Sequence, residues 1–480
     1  MKTNSLGFDA QALREKILDL AMRGKLVPQD PNDEPASVLL DKIKAEKAEL
    51  IKEKKIKKTK SLPPITDDEK PFDIPDSWEW VRLGDVINLV SGRDIPKKYH
   101  LSSKSLNSVP YITGASNINE DGQITISEWI KDPSVLVKRG TLLLSVKGTV
   151  GKIAKLEIPE AHIARQIMGI ENVYNLDLDF QKYFLESYIE KLKKKAKSMI
   201  PGVSREDILL ANIPVPPLSE QNRIAAKIAQ LFALLRKVES STQQYAELQT
   251  LLKTKVLDLA MRGKLVKQDP NDEPASVLLE KIKAEKTELV KEKKIKKSKP
   301  LPPITDEEKP FDIPDSWKWV RISDVLDVRD GTHDTPKYVA DGIPLITSKN
   351  ISNGKLDFTN INFISKDDFE KINERSKVDK GDIIFAMIGT IGNPVLVDTD
   401  TKFGIKNVAL LKHFTDKLNM DFILDYLLVL QVIWNSNATG AVQKFVSLRK
   451  IRKSVLPLPP FKEQKKIVRK IDQIFRMIGE

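Results

Sequence analysis

Residues 224–259 read IAAKIAQLFALLRKVESSTQQYAELQTLLKTKVLDL, and this stretch decides the architecture of the chain. Its apolar residues recur at intervals of four and three, with Thr242 and Gln249 filling two of the positions. That spacing is the heptad pattern of a coiled-coil helix. It predicts a spacer helix within residues 218–264, with an apolar seam of Ile224, Ile228, Leu231, Leu235, Val238, Tyr245, Leu252, Val256 and Leu259.

Fragments of the same pattern lie at the two ends of the chain. The C-terminal fragment contributes Ile467, Ile471, Ile474 and Ile478, and the N-terminal fragment contributes Leu13, Ile17 and Leu20. Neither fragment is long enough to form a stable helix alone. We therefore expect residues 461–480 and 1–25 to pack along the central helix as the two halves of one partner helix. Two unrelated amphipathic helices are the alternative, which the matching register disfavours.

An internal repeat connects these helices to the rest of the chain. Residues 16–82 recur at 255–321, and 58 of these 67 positions are identical. A second repeat relates residues 216–221 to 459–464, at an offset of 243 instead of 239. The two offsets together nearly equal the chain length, so the repeat closes on itself like a circle. We expect pseudo-two-fold symmetry with an antiparallel helical pair that acts as a spacer of fixed length.

The segments between the repeats differ in sequence. Residues 72–217 and 311–460 each show short β-type runs followed by helical stretches, which predicts two α+β domains. Residues 26–71 and 265–310 are predicted as Lys-rich helical and Pro-rich connectors. The fold class is thus α+β, with two such domains separated by an antiparallel coiled-coil spacer.

Composition limits the functions that this chain could perform. It has 480 residues, 79 Lys plus Arg against 67 Asp plus Glu, a net charge of +12 and no Cys. The charge favours a polyanionic partner, and the lack of Cys excludes disulfides and thiolate chemistry. Four His residues, none close to another, provide no local metal-ligand pair. No signal peptide or span-length apolar run is visible, so we expect a cytoplasmic protein.

No catalytic motif stands out. The sequence GTVG at 148–151 and its counterpart GTIG at 389–392 lack the spacing of a phosphate loop, and tight turns between strands are the favoured interpretation. The string Leu458-Pro459-Pro460-Phe461 lacks the Asn or Asp of an amino-methyltransferase motif. Two tryptophans of each half lie in near-identical sequence contexts: Trp78 and Trp80, and Trp317 and Trp319. This predicts that they pack within the repeated part of the chain, which we call the frame, and do not stack on DNA bases. The Lys-dense ends of the connectors are interpreted as solvated helix, with phosphate contact as the minor alternative.

The order of the motifs, repeated twice, carries a family resemblance. Each half has IPDSW(E/K)WVR at 74–82 or 313–321, a GTxG turn, and a closing IPVPPLSEQNRIAAKI at 213–228 or LPLPPFKEQKKIVRKI at 456–471. The whole chain resembles the specificity subunit of type I restriction-modification systems.

This resemblance implies a non-catalytic subunit that binds double-stranded DNA. Each variable domain would be a target recognition domain that reads one half of a bipartite, asymmetric site. Two methyltransferase subunits, which use S-adenosylmethionine, would dock on the chain and methylate adenines, and two restriction (translocase-nuclease) subunits are optional further partners. The chain itself would bind no cofactor and no metal.

Residues that contact DNA are chosen by side-chain chemistry and by position in turns. Arg and Lys suit guanine, and Asn and Gln suit adenine. The candidates are Arg93, Asn117, Lys147, Arg165, Gln166 and Arg205 in the first domain, and Thr332, His333, Lys349, Asn350, Lys406, Asn407, Lys444 and Arg449 in the second. The alternative function is a helical scaffold with two protein- or ligand-binding domains and no sequence-specific DNA readout.

Overall fold

The structure of the chain is a computed structural model, which describes residues 8–56, 61–172, 174, 176–195, 202–297, 300–352, 354–388, 391–436 and 445–479. The chain forms two compact units, residues 1–244 and 245–480. The division falls inside one helix, Leu218–Met261, so the predicted central helix is confirmed. The described helices include none with the length and apolar character that a membrane span requires.

The first unit combines one α+β domain with the helices that lie outside it, which we call the frame helices. Its helices are α1 (Ala10–Met22), α2 (Ala36–Lys52), α3 (Leu83–Val86), α4 (Leu178–Lys195), α5 (Arg205–Leu209) and the first part of α6 (Leu218–Met261). Its strands are β1 (Glu79–Arg82), β2 (Asn88–Ser91), β3 (Val109–Ile112), β4 (Glu128–Ile130), β5 (Leu136–Lys138), β6 (Leu142–Ser145), β7 (Ile153–Lys155), β8 (Glu160–Ile163), β9 (Ile167–Glu171) and β10 (Asn212–Val215).

Two four-stranded sheets form the first domain. One has the order β2-β9-β6-β7 and is antiparallel throughout. The other has the order β4-β3-β8-β5, in which β3 and β8 run parallel. The strands that enter and leave the domain, β1 and β10, pair with each other. The GTVG sequence lies between the antiparallel strands β6 and β7, as the predicted turn, with positive φ at Gly148 and Gly151.

The predicted connector 26–71 is part of the packed unit. Helix α2 buries Leu39, Leu40 and Ile43, which join one core with Trp78 of the domain entry and Ile224 of α6. The buried residues follow a helical spacing, and the lysines other than Lys47 lie on the solvent side. Lys47 is 19% exposed and donates to the carbonyl of Gly84 at 3.1 Å. High Lys content therefore marks one face of a packed helix here.

The second unit repeats this plan. Its helices after α6 are α7 (Ala275–Lys291), α8 (Ile322–Val325), α9 (Lys366–Ser376), α10 (Met420–Ser436), α11 (Leu448–Lys453) and α12 (Phe461–Ile478). Its strands are β11 (Lys318–Arg321), β12 (Asp327–Asp330), β13 (Tyr338–Val339), β14 (Ile343–Ile346), β15 (Ile351–Ser352), β16 (Lys355–Leu356), β17 (Asn362–Ile364), β18 (Ile383–Ala386), β19 (Gly392–Leu396), β20 (Gly404–Ile405), β21 (Val408–Lys412) and β22 (Val455–Leu458).

The sheets of the second domain correspond to those of the first. The order β12-β21-β18-β19 matches β2-β9-β6-β7, and β11 pairs with β22 as β1 pairs with β10. The other sheet has the order β13-β17-β14-β20, in which β14 and β20 run parallel. Helix α9 and the hairpin β15-β16 distinguish the second domain. Both domains are α+β, as predicted.

Each terminal helix runs antiparallel to the part of α6 in its own unit. In the first unit Arg14 of α1 binds Glu239 at 2.7 Å, and further along the chain Gln29 reaches back to Glu220. In the second unit Gln249 of α6 donates to the carbonyl of Ile478 at 2.6 Å. The predicted antiparallel pairing is thus confirmed within each unit.

Some residues of the predicted seam are exposed, and two of them occupy corresponding positions in the two halves of the chain. Leu13 and Leu252, which correspond in the repeat, are 43% and 51% exposed. The prediction that they lie in the seam is therefore wrong. The cause is that each helix pair also packs on its domain, which turns the buried stripe toward residues such as Leu18 and Leu257. Val238 and Tyr245 are exposed as well. The buried seam residues are Ile224, Ile228, Leu235, Val256, Ile467 and Ile471. The half-buried ones are Leu231, Leu259, Ile474, Ile17 and Leu20.

A buried carboxylate in the first turn of α6 joins three parts of the first unit. Trp78 donates its indole N–H to Glu220 Oε2 at 2.9 Å, and Gln29 donates to Oε1 at 2.5 Å. Burial raises the pKa of Glu220, and the two donors offset part of that rise. The predicted frame role of Trp78 is confirmed.

The second unit repeats this contact in α12. Trp317 donates to Glu463 at 3.0 Å, and Gln268 donates to the other carboxylate oxygen at 2.6 Å. The same contacts appear although the carboxylate and its donors belong to repeats with different offsets.

Replacing Glu220 with Ala should lower the free energy of unfolding by about 2–3 kcal/mol, because the buried Trp78 N–H loses its acceptor. Urea unfolding followed by tryptophan fluorescence measures this. Glu220→Gln keeps an acceptor oxygen and serves as the control, and Glu463→Ala should reproduce the loss in the second unit. Equal stability of the Ala and Gln variants would contradict the assigned role.

A second prediction concerns Asp425 in α10. Burial, together with repulsion from Asp472 and Asp421, raises the pKa of Asp425 to about 8. A carboxyl whose folded pKa is raised stabilises the fold most below its ordinary pKa, and this stability is lost as the pH rises toward 8. Asp425→Asn should therefore stabilise the protein at pH 8.5 relative to wild type by up to about 6 kcal/mol, and much less at pH 4. Urea unfolding at both pH values checks this, and a gain independent of pH would refute it.

Candidate nucleic-acid interface

Four segments of the first domain meet at one end of the strands β2, β9 and β6. After β2, Arg93 N–H donates to the carbonyl of Ile163 at 2.9 Å. After β6, the backbone N–H of Val146 donates to the carbonyl of Gln166, and the carbonyl of Val146 accepts from the N–H of Val203, each at 2.9 Å. We call residues 91–95, 146–147, 164–166 and 202–205 the first loop cluster. Its backbone is therefore connected by hydrogen bonds and not only by the strands beneath it.

Five of the predicted contact residues lie in the first loop cluster with exposed side chains: Arg93, Lys147, Arg165, Gln166 and Arg205. The structure thus brings together side chains that are up to 112 positions apart in the chain. They form a basic surface with one amide, which is the chemistry expected for phosphate and guanine contacts.

Glycine is required where two of these loops cross. A Cβ on Gly92 would lie 2.1 Å from the carbonyl oxygen of Ala164, and one on Gly114 would lie 2.5 Å from Gln166 Oε1. At Gly92 the obstacle is backbone, so no larger side chain fits there without a backbone shift, whereas at Gly114 the obstacle is the end of the Gln166 side chain, which a larger residue would displace. The close approach keeps the exposed side chains next to one another.

Asn117 does not belong to this surface, which corrects the prediction. Its side chain is 3% exposed. Its Oδ1 accepts from the backbone N–H groups of Thr113 and Gly114, and its amide N–H donates to the carbonyl of Thr125 at 3.0 Å. Asn350 is placed in the same way in the second domain, 5% exposed, with Oδ1 on the N–H of Thr347. Both amides are used inside their own loops and cannot reach a base edge.

The second domain builds the same cluster on corresponding strands. Thr332 N–H donates to the carbonyl of Ile405 at 3.0 Å, as Arg93 does to Ile163. Val446 donates to the carbonyl of Met387 at 3.0 Å, as Val203 does to Val146. We call residues 330–335, 387–388, 404–407 and 445–449 the second loop cluster. The correspondence follows from hydrogen bonds and not from sequence similarity.

A polar network covers the second loop cluster. His333 Nε2 lies 2.9 Å from Asp330 Oδ2, and its Nδ1 lies 3.1 Å from Asn407 Oδ1. Arg375 of α9 binds the other oxygen of Asp330. Burial alone would raise the pKa of Asp330, but the bonds from Arg375 and His333 outweigh it and lower this pKa. His333 is exposed and held in place by bonds at both ring nitrogens, so in this arrangement it presents the carbon edge and faces of its ring to a ligand.

The remaining predicted residues of the second domain fall into three groups. Lys349 and Arg449 are exposed, and Thr332 and Asn407 are half-buried. Lys406 is only 9% exposed, with its ammonium on the hydroxyl of Thr335, so its prediction as a base contact is not supported by its placement. Lys444 lies outside the described residues.

Acidic residues at these surfaces were missed at the sequence level. Asp94 accepts from Arg165 Nε at 2.7 Å and from its backbone N–H at 3.1 Å. Asp330 plays the comparable part in the second cluster. Because a negative charge is not expected at a DNA surface, only the folded positions show that these carboxylates orient cations. Their location in the turn after β2 and at the end of β12 was the available signal.

Within the described residues, no group of three or more His, Asp or Glu side chains is placed to hold a metal ion. The two loop clusters are thus built from hydrogen-bonding and charged groups on a rigid backbone.

Comparison with known proteins agrees with this organisation. The family model described as the type I restriction modification DNA specificity domain matches residues 75–250 and 314–479. The EcoAI specificity subunit of a type I restriction enzyme from Escherichia coli is 31% identical, over 98% of this chain and 89% of that protein. The EcoEI specificity subunit, also from Escherichia coli, is 35% identical over 66% of this chain and 62% of that protein.

A solved structure shares the fold. A chain from a structure that addresses complex assembly and conformational transition of the type I R-M system aligns with a TM-score of 0.59 and 21% identity. The alignment covers 85% of this chain and 93% of that one. Both matched family segments begin at the entry of an α+β domain and run into a frame helix, as the structure places them. The chain belongs to the type I restriction-modification DNA specificity family.

Proposed function

We propose that this chain is the non-catalytic DNA-reading subunit of a type I restriction-modification complex. Each α+β domain would recognise one half of a bipartite, asymmetric duplex target. One observation carries the proposal: matched backbone positions in the two loop clusters hold different side chains. Arg93 corresponds to Thr332, and Lys147 corresponds to Ile388. To read two different half-sites, the two domains need the same backbone arrangement with different side chains on it.

The chemistry of the two surfaces supports different base preferences. The first loop cluster presents guanidinium and ammonium groups, which suit the acceptors O6 and N7 of guanine. The second presents a His ring, an amide and a hydroxyl, which suit mixed donor and acceptor patterns. The net charge of +12 supports phosphate contacts that supply affinity without sequence preference.

Helix α6 is proposed to set the spacing between the half-sites. At 1.5 Å per residue, its 44 residues extend about 66 Å. A helix that is continuous through both units transmits a change of its length to the distance between whatever the two units bind.

The partners follow from the same proposal. Two adenine methyltransferase subunits, which use S-adenosylmethionine, and optionally two restriction subunits would assemble on the chain in the cytoplasm, while the chain itself would bind no cofactor. The near-identical segments 16–82 and 255–321 support two equivalent docking surfaces for two copies of one partner. A scaffold without DNA readout remains the competing function.

The first test is a selection from a library of DNA duplexes with a randomised 20-base-pair centre, in which the bound fraction is sequenced. Two separated blocks of preferred bases should emerge. Arg93→Ala and Arg165→Ala should each weaken one block about tenfold or more, since a good base contact contributes about 1–3 kcal/mol of discrimination. His333→Ala should weaken the other block.

Arg139→Ala is the matched control, because Arg139 is exposed in the same domain but lies outside the first loop cluster. It should change affinity only slightly and leave both blocks intact. Binding with no preferred bases, or an equal loss on all sequences, would favour the scaffold.

The second test lengthens the spacer. Inserting seven residues of helical sequence after Gln244 keeps the heptad register and extends α6 by about 10 Å. The gap between the two blocks should grow by roughly three base pairs, at 3.4 Å per base pair. An unchanged gap in the same library selection would show that α6 does not set the spacing.

A further inference from the structure

The loop that carries Arg93 is held from inside the first domain by aromatic rings. His162 of β8 has its Nε2 at 2.7 Å from the carbonyl oxygen of Arg93. Two residues on, the N–H of Ile95 donates to the hydroxyl of Tyr111 at 3.2 Å. Both rings are buried, His162 completely and Tyr111 to 2% exposure. The backbone on either side of Asp94 therefore rests on a buried support.

The hydrogen bonds of His162 determine its protonation. Its Nδ1 accepts the N–H of Val135 at 3.2 Å, so Nδ1 carries no proton. The proton must be on Nε2, which then donates to the carbonyl of Arg93. Burial lowers the pKa of His162, which favours this neutral form at neutral pH. The ring thus acts as a rigid donor of fixed orientation.

A second His braces the same loop from the other side of Tyr111. The rings of His100 and His162 lie 4.9 and 5.1 Å from the ring of Tyr111. His100 Nε2 lies 2.8 Å from the carbonyl oxygen of Ile95, and its Nδ1 lies 2.8 Å from Glu128. Three adjacent rings, one pair edge-to-face and the other tilted, therefore contact the backbone of residues 93–95 at three points.

Asp94, between these points, controls Arg165. Its carboxylate binds both the backbone N–H and the side chain of Arg165. Both ends of this pair are exposed, at 69% for the Arg165 side chain and 47% for that of Asp94. A shift of the 93–95 backbone would therefore move two exposed guanidinium groups together, that of Arg93 directly and that of Arg165 through Asp94.

Among the described residues of the second domain, the corresponding strand positions carry no such pair of rings. Tyr111 pairs with His162 between the parallel strands β3 and β8, and the corresponding pair between β14 and β20 is Leu345 with Gly404. The second loop cluster depends instead on the exposed bonds of His333. The two domains hold equivalent loops by different means, which allows one to be perturbed while the other serves as an internal reference.

We propose that His162 and Tyr111 are positioning residues that set the base preference of the first domain, by fixing Arg93 and the Asp94–Arg165 pair before DNA arrives. The inference rests on the proposed function and adds residues that themselves contact no DNA. It predicts that recognition by the first domain, and only by the first, depends on the neutral His162 ring.

The duplex-library selection described above, applied to three variants of the full chain, tests this. His162→Leu removes the donor and should weaken the block read by the first domain about tenfold, while the second block stays unchanged. Tyr111→Phe removes only the hydroxyl and should give a smaller loss in the same block. His162→Gln provides one acceptor for Val135 and one donor for Arg93, and should largely restore the preference at pH 7.5.

The pH profile separates positioning from general packing. Protonation would place a second N–H against the N–H of Val135, so acid should release the loop. Asp94 and Tyr111 lie next to this ring, and His100 with Glu128 lies next to Tyr111 on the same loop. Because burial lowers the pKa of His162 below its ordinary 6.5, wild type should keep the first block at pH 6.5 and lose it only at more acid pH. His162→Gln should keep the first block unchanged over that range.

Different outcomes distinguish this inference from the proposed function. Two blocks in wild type that His162→Leu and Tyr111→Phe leave unchanged would overturn the inference alone. Equal loss of both blocks in these variants, with a lowered melting temperature, would overturn it in favour of a purely structural role. No blocks in wild type would overturn the proposed function, and the inference with it.

Discussion

The buried bond between Trp78 and Glu220, repeated between Trp317 and Glu463, is the constraint on which the rest of the structure depends. It joins the entry of each α+β domain to the first turn of a frame helix. A buried carboxylate is unfavourable unless donors surround it, and Gln29 in the first unit and Gln268 in the second supply the second donor. Helix, domain and connector must therefore be in place together, which fixes where each loop cluster is attached.

Sequence pattern predicted those parts of the fold that periodicity and repetition control. The long helix, the antiparallel partners and the frame role of Trp78 all follow from spacing or from identity between the halves. The exposure of Leu13 could not be predicted, because a heptad pattern does not show that the helix pair also packs on a domain. Asn117 was misassigned for a related reason, since only the folded loop shows that its amide is used internally.

The candidate site was predicted in part. Arg93 and Arg165 stand out by charge in turns, and the structure places them side by side. Asp94 and His162 do not stand out, because each acts through the backbone of a neighbour in space. Local chemistry thus indicates which groups can touch a ligand, whereas the groups that hold them in place become visible only from the tertiary contacts.

Strands β1 and β10 lie side by side where the chain enters and leaves the first domain, and β11 and β22 do the same in the second. The polypeptide therefore enters and leaves each domain at one place, through two paired strands. The first domain also packs on the frame through α4, where the ring of Tyr183 lies 5.7 Å from that of Phe232 of α6. A segment exchanged between the two strands can therefore bring a new specificity only if it also carries a helix that fits this surface.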